Sequence, residues 1–192
     1  MKHHRIAILC LLGCALDFAV CQTSVRSQVE SVLDSGPGRE KSHEAVSKIS
    51  DHPVPLLMSI AQSTEGSYVR RTRAIYLLAT FKTEESERAL SELAAHGSPK
   101  FRCPALQAFV ELKSRDAVPL LISRLDDHAV CMHIALTDPA RKQDVYVSDE
   151  AVRLLEQVAG QSFGQVSASG HRATKPWKNW WAKQKSSAKP GT

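Results

Sequence analysis

The sequence lacks several signatures that would announce an enzyme. Its nine glycines are scattered along the chain, so no glycine-rich loop is available to cradle a phosphate. No His-Glu-x-x-His pair occurs, which excludes the helical zinc site of that class of metalloprotease. Almost no stretch alternates apolar and polar residues with the period of a strand, so a helical protein without a sheet is expected. After Val20 no apolar run approaches the length of a membrane-spanning helix. Acidic residues are missing altogether from residues 171–192, which hold Arg172, Lys175, Lys178, Lys183, Lys185 and Lys189. The chain as a whole carries +5. Residues 22–170, with 17 basic and 19 acidic side chains, sum to −2. The positive excess belongs to the tail, so a basic groove for specific nucleic-acid binding is not expected.

What is present begins with a leader. Met1 to Arg5 is a short basic head, and Ile6 to Leu16 is nearly all apolar. That layout is a secretory signal, here assigned to residues 1–21, too short to span a bilayer as a mature helix. Two processing sites compete. Leu11-Leu12-Gly13-Cys14 fits a lipidation site with Cys14 as the new N-terminus, although only seven apolar residues precede it and apolar residues continue to Val20. Ala19 and Cys21 fit ordinary cleavage after Cys21, which is the preferred reading. The chain is therefore expected to be periplasmic or secreted, with a lipid anchor as the variant. Cleavage after Cys21 leaves Cys103 and Cys131, and an exported protein with two cysteines permits one disulfide.

Residues 22–38 are weakly patterned and end in Ser35-Gly36-Pro37-Gly38, which reads as a short helix or linker and then a break. From Arg39 the chain alternates helices with tight turns. Phe101, Ala105, Leu106, Phe109 and Leu112 fall on one face of a helix over Lys100–Lys113. Ser98 and Pro99 mark its start, and Pro104 is expected to delay regular helix to about Cys103. Ala117, Leu120, Leu121 and Leu125 pattern the next helix. The same pairing recurs over Arg70–Phe81 with Glu84–His96, and more faintly over Arg39–Ser50 with Pro53–Gln62. Ala45, Ala74 and Ala105 are spaced 29 and 31 residues apart, and a period near 30 marks a stacked helical repeat. Ala151, in a helix over Ser148–Ala159, follows 46 residues after Ala105, which implies an insertion at 127–147.

Phe101-Arg102-Cys103-Pro104-Ala105-Leu106-Gln107-Ala108 followed by Asp116-Ala117-Val118-Pro119-Leu120-Leu121-Ile122-Ser123-Arg124-Leu125-Asp126-Asp127 resembles a HEAT repeat of the short bacterial kind. Such repeats read V-R-x-x-A-x-x-A-L in the first helix and A-x-x-x-L-x-x-x-L-x-D in the second. Val147-Ser148-Asp149-Glu150-Ala151-Val152-Arg153 starts another, and Arg71-Thr72-Arg73-Ala74 is a weaker match. The resemblance implies an all-α fold, an α-solenoid of antiparallel helix pairs over residues 39–160. Phycobilin lyases share such repeats, but the residues matched here are structural and carry no activity over.

Three groups bear on function. His128, Cys131 and His133, beside Asp126 and Asp127, are zinc-ligand types at a spacing of no familiar framework, so a surface loop is the preferred reading and a metal site or enzyme the weaker one. Arg70, Arg71 and Arg73 form a basic knot beside Tyr68, read as a solvated helix start offset by Glu65 and neighbouring acids. Trp177, Trp180 and Trp181 share one face of a helix over Pro176–Lys183, within a segment 161–192 of linker, helix and basic tail. That face either caps the last repeat or contacts a membrane surface or anionic polymer. The expectation is a non-catalytic binding or scaffolding protein of the bacterial cell envelope, with an unknown protein partner, no cofactor and an open oligomeric state. A disulfide between Cys103 and Cys131 is expected, because antiparallel helices bring the end of the second helix of a pair beside the start of the first.

Overall fold

The computed structural model describes residues 24–135, 142–164 and 171–187. The expected leader over residues 1–21, with Cys14 and Cys21, lies outside the described residues, as does Lys189. The described chain is a multi-helix, all-α fold with one small two-stranded ribbon. It divides into two compact units, up to Leu77 and from Leu78 onward, and the division falls inside one helix. No helix among the described residues is long and apolar enough to cross a membrane.

The first unit holds α1 (24–35), α2 (Arg39–Ile49), α3 (Pro53–Gln62) and most of α4 (Tyr68–Phe81). Residues 22–38 are thus largely helix. Helix α1 buries Val29 and Leu33, four residues apart on one face. Gly36 ends it at φ +60°, a left-handed position that glycine adopts without a Cβ penalty. A Cβ at Gly36 would sit 2.6 Å from the Arg73 guanidinium carbon. Helix α3 starts with Pro53 in its first turn, where the missing N–H loses nothing. The buried stripe of this unit continues through Val46, Val54, Leu57, Ile60, Ala74 and Ile75.

The basic knot is structural, and its partners differ from those expected. Arg70 forks onto Asp34, donating from Nε to Oδ1 at 2.8 Å and from Nη2 to Oδ2 at 2.5 Å. Its Nη1 reaches Glu30 at 3.0 Å. Arg73 Nη1 donates to the carbonyls of Leu33 and Asp34 at 2.6 and 2.9 Å, closing the open C-terminus of α1. Arg71 Nε donates to the Ala61 carbonyl near the end of α3 at 2.9 Å. The acids that pair with Arg70 come from α1, which is remote in sequence, and not from the neighbouring Glu65. The hydrogen bond from Arg70, aided by its charge, holds the Asp34 carboxyl below its ordinary value. A depressed carboxyl contributes stability at neutral pH that is lost as pH falls through the folded value. Asp34→Asn should therefore lower stability at neutral pH and flatten its acid dependence below the usual aspartate range, read as melting temperature against pH. Parallel curves for the two proteins would refute this.

The second unit holds the end of α4, then α5 (Glu84–His96), α6 (Pro99–Glu111), α7 (Ala117–Ser123), β1 (Val130–Ala135), β2 (Lys142–Tyr146), α8 (Val147–Ala159) and α9 (Lys175–Ser187). Thr83 and Ser86 cap the start of α5 reciprocally, each side chain accepting from the other's backbone N–H. Helix α6 runs from Pro99 without the delay expected at Pro104, which lies inside the helix and, having no N–H, cannot donate to the Lys100 carbonyl. Ser98 precedes it but makes no side-chain cap bond. Helix α6 packs against α5, α7, α8 and β1. Helix α7 is shorter than its apolar pattern, ending at Ser123, and Leu125 is buried just beyond it.

The expectation of no sheet fails inside the 127–147 insertion. There β1 and β2 form an antiparallel hairpin with an irregular register between Val130 and Met132. The irregularity breaks the two-residue alternation that would have marked the strand. The hairpin is fastened to α6 by a disulfide between Cys103 and Cys131, with Cα atoms 6.2 Å apart. The partner of Cys103 therefore comes from a strand and not from a loop. Closing a loop of 28 residues stabilises the fold by roughly 3–4 kcal/mol in the chain-entropy model. Cys103→Ser with Cys131→Ser should lower the unfolding free energy by about that amount in chemical denaturation. Two free thiols in the oxidised, denatured parent protein would remove the bond from the account.

Candidate functional site

Helix α5 is amphipathic in the simplest sense. Ala89, Leu90, Leu93 and Ala94 are buried. Glu84, Glu87, Arg88, Ser91, Glu92 and Ala95 recur at helical spacing on another face. That face and the start of α7 flank an open groove of about 710 Å³. Its apolar lining comes from Ala95, Phe109, Pro119 and Leu120. Its polar lining is predominantly acidic: Glu84, Glu87, Glu92 and Asp116 against Arg88 and His96. Ser114 hydrogen-bonds Glu87 and so ties α5 to the turn before α7, fixing the width of the groove at that end. An apolar floor beneath carboxylates suits a segment bearing both apolar and cationic side chains.

The residues singled out for chemistry do not converge. Cys131 is taken by the disulfide. His133 Nδ1 pairs with Asp144 across the hairpin at 2.7 Å, and both are well exposed. His128 sits edge-on to Tyr146 with ring centroids 6.2 Å apart. Among the described residues, no group of three or more His, Cys, Asp and Glu side chains is placed to hold a metal ion. Asp127 accepts instead from Arg102 Nη1 at 2.8 Å, and Arg102 Nε donates to the Gly97 carbonyl at 2.7 Å.

Gly160-Gln161-Ser162-Phe163-Gly164 spells the nucleophile-elbow pattern Gly-x-Ser-x-Gly, which corrects the expectation that the chain lacks that motif. Its setting differs from that motif's. It follows the left-handed C-terminus of helix α8 at Gly160, where the elbow requires a strand leading into a helix. Ser162 Oγ donates to Glu156 Oε1 at 2.6 Å with no imidazole between them. The segment is a helix stop followed by a turn.

The tryptophans step from core to surface. Trp177 is 1% exposed, and Phe163 meets it edge-on at 4.9 Å between centroids. Trp180 meets Trp177 edge-on at 5.4 Å and is half-buried. Trp181 lies tilted beside Trp180 at 6.1 Å, with Lys185 Nζ 5.4 Å from its ring centroid. Lys178 pairs with Asp126 near the end of α7, against which α9 packs. The segment leading into α9 is fastened by Asp149, which sequence reading missed. Its Oδ1 accepts from the Arg172 N–H at 2.7 Å, and its Oδ2 bonds His171 Nδ1 at 2.8 Å and the Tyr146 N–H at 3.1 Å. The rings of Tyr146 and His171 stack at 4.2 Å. An acid in the first turn of a helix announces a cap, but nothing in the sequence says which distant N–H groups it serves.

Comparison with protein-family models, with curated proteins and with solved structures finds no match to this chain. The reading of function therefore rests on the geometry. That geometry ranks the tryptophans: Trp177→Ala should cost about 3–5 kcal/mol of stability, the range for a fully buried aromatic. Trp181→Ala, at the partly exposed end of the series, should cost clearly less. Equal shifts in denaturant midpoint for the two variants would show the ranking to be wrong.

Proposed function

We propose that this chain is a non-catalytic protein-binding or scaffolding protein of the bacterial cell envelope, built as a HEAT-type α-solenoid that α9 caps through Trp177. The observation that carries the binding reading is the groove between α5 and α7: an apolar floor under four carboxylates, open along one side. A pocket built for catalysis gathers a nucleophile, a base and a charge stabiliser around one point. This groove offers length and charge.

Two repeated contacts support the HEAT reading. The arginine of the V-R-x-x-A pattern is Arg102 in one copy and Arg71 in the weaker one. Each donates from Nε to a backbone carbonyl at or near the end of the preceding helix, Gly97 and Ala61 respectively. Arg102 also pairs with Asp127, the aspartate that closes the second-helix pattern. A small alanine follows each arginine by three residues, and Ala74 and Ala105 are fully buried, as close helix approach requires. Export rests on the leader-like sequence of residues 1–21.

A photo-crosslinking residue in place of Ser91, expressed with the full chain in an export-competent bacterium, tests groove, partner and compartment together. A discrete protein adduct should be recovered from the envelope fraction. It should disappear when Glu84→Lys and Glu92→Lys are added, with stability changed by no more than about 0.5 kcal/mol per surface substitution. An adduct indifferent to the charge reversal, or confined to the cytosol, would count against the proposal.

A further inference from the structure

The basic helix α9 is only partly accounted for by packing. Thirteen residues long, it carries Lys175, Lys178, Lys183 and Lys185 and no acid. Trp177 anchors it, and Lys178 is neutralised by Asp126. Arg172, just before it, is neutralised by Glu156. The far end is different. Lys183 and Lys185 are exposed, and Lys185 Nζ lies 5.4 Å from the ring centroid of the partly exposed Trp181. Indole rings and lysines side by side on a helix fixed to a folded body suit the boundary between water and lipid headgroups. The helix is already formed and held, so binding there costs little ordering. The Trp177–Trp180–Trp181 series leads from the core to that end, so the outermost ring is supported from within.

We propose that the C-terminal half of α9 is a docking face for an anionic membrane surface, with Lys183 and Lys185 meeting lipid phosphates and Trp181 seating at headgroup level. Charge complementarity selects this occupant. A zwitterionic surface offers the indole the same interface but leaves the lysines without net attraction. The contact is weak by design of its size: each lysine near an anionic leaflet strengthens partition about fivefold. It adds to the groove of the same unit and does not depend on that groove binding anything.

The test uses the full chain with vesicles of phosphatidylcholine alone or mixed with phosphatidylglycerol, read by co-sedimentation and tryptophan emission. The parent chain should prefer the anionic vesicles. Lys183→Gln with Lys185→Gln should weaken that partition about 25-fold. Both proteins carry the same basic and apolar N-terminus, so its contribution cancels in the comparison. Raising salt from about 0.1 M to about 1 M shortens screening from roughly 10 Å to roughly 3 Å and should abolish the difference between them. Trp181→Ala, with helicity checked by circular dichroism, should weaken binding to the anionic vesicles and abolish the blue shift on binding. A double-lysine variant within twofold of the parent would overturn the proposal. So would a short DNA duplex that binds as tightly as the vesicles at equal phosphate, since that would make the face a general polyanion site.

Discussion

Helices α5, α7 and α8 and strand β1 of the second unit are arranged around one helix, α6, that is buried on nearly every side. Of α6, Phe101, Cys103, Pro104, Ala105, Leu106, Ala108, Phe109 and Val110 are all buried. A helix apolar around most of its circumference must be covered around most of its circumference. Helices α5, α7 and α8 and strand β1 each supply part of that cover. The hairpin then has a physical reason to exist. It closes the part of α6 where Cys103 lies, and the disulfide fixes it there. A two-stranded ribbon is marginal in water by itself, so this one depends on the helix it covers and on the covalent bond.

Several polar groups taken out of water are engaged at helix ends or between helices, whereas the Thr72 hydroxyl is buried without a hydrogen-bond partner. Glu150, 4% exposed, accepts from Gln107 on α6 and from Arg153 on its own helix. Asp149 gathers two backbone N–H groups and an imidazole. Arg73, Arg71 and Arg102 each donate to carbonyls that a helix terminus leaves open. A guanidinium suits this work better than an ammonium, because its planar fork bonds two acceptors at once. Arg70 does so with Asp34 and Glu30, and Arg102 with Gly97 and Asp127. Acidic side chains line the groove beside α5, and exposed lysines stand at the far end of α9.

Helix existence was legible wherever apolar residues recur at helical spacing, as in α4, α5 and α8. It was hardest to read where burial is nearly complete. Helix α6 looks one-sided if Phe101, Ala105, Leu106 and Phe109 are picked out, yet Cys103, Ala108 and Val110 are buried as well. Periodicity fades when every face is covered, so the sequence could not tell how many neighbours α6 needs. The hairpin escaped because Met132 at 42% and Ile134 at 45% are exposed yet apolar, on either side of the exposed His133, so the alternation of a half-buried strand is absent. Over α1 the sequence reads as either a short helix or a linker, because only Val29 and Leu33 reach the core. The groove escaped because it needs α5 and α7 side by side, although the acids in the first turn of α5 were visible as a cluster. The pairing of Cys103 with Cys131 could be reasoned from antiparallel helix geometry, which survives even though the second cysteine proved to sit on a strand.

The disulfide and the leader bear on each other. A cross-link that holds a marginal hairpin against a helix persists only where the environment is oxidising, and reduction in a cytosol would loosen the cover on α6. The proposal of export draws on the basic head and apolar run of residues 1–21, far from either cysteine in the sequence. The sulfur bond draws on the approach of β1 to α6. Two unrelated features thus support the export proposed for this chain. Under that proposal the acidic groove and the cationic helix end, both on one folded unit, would meet the occupants proposed for them, a segment of another protein and an anionic membrane surface.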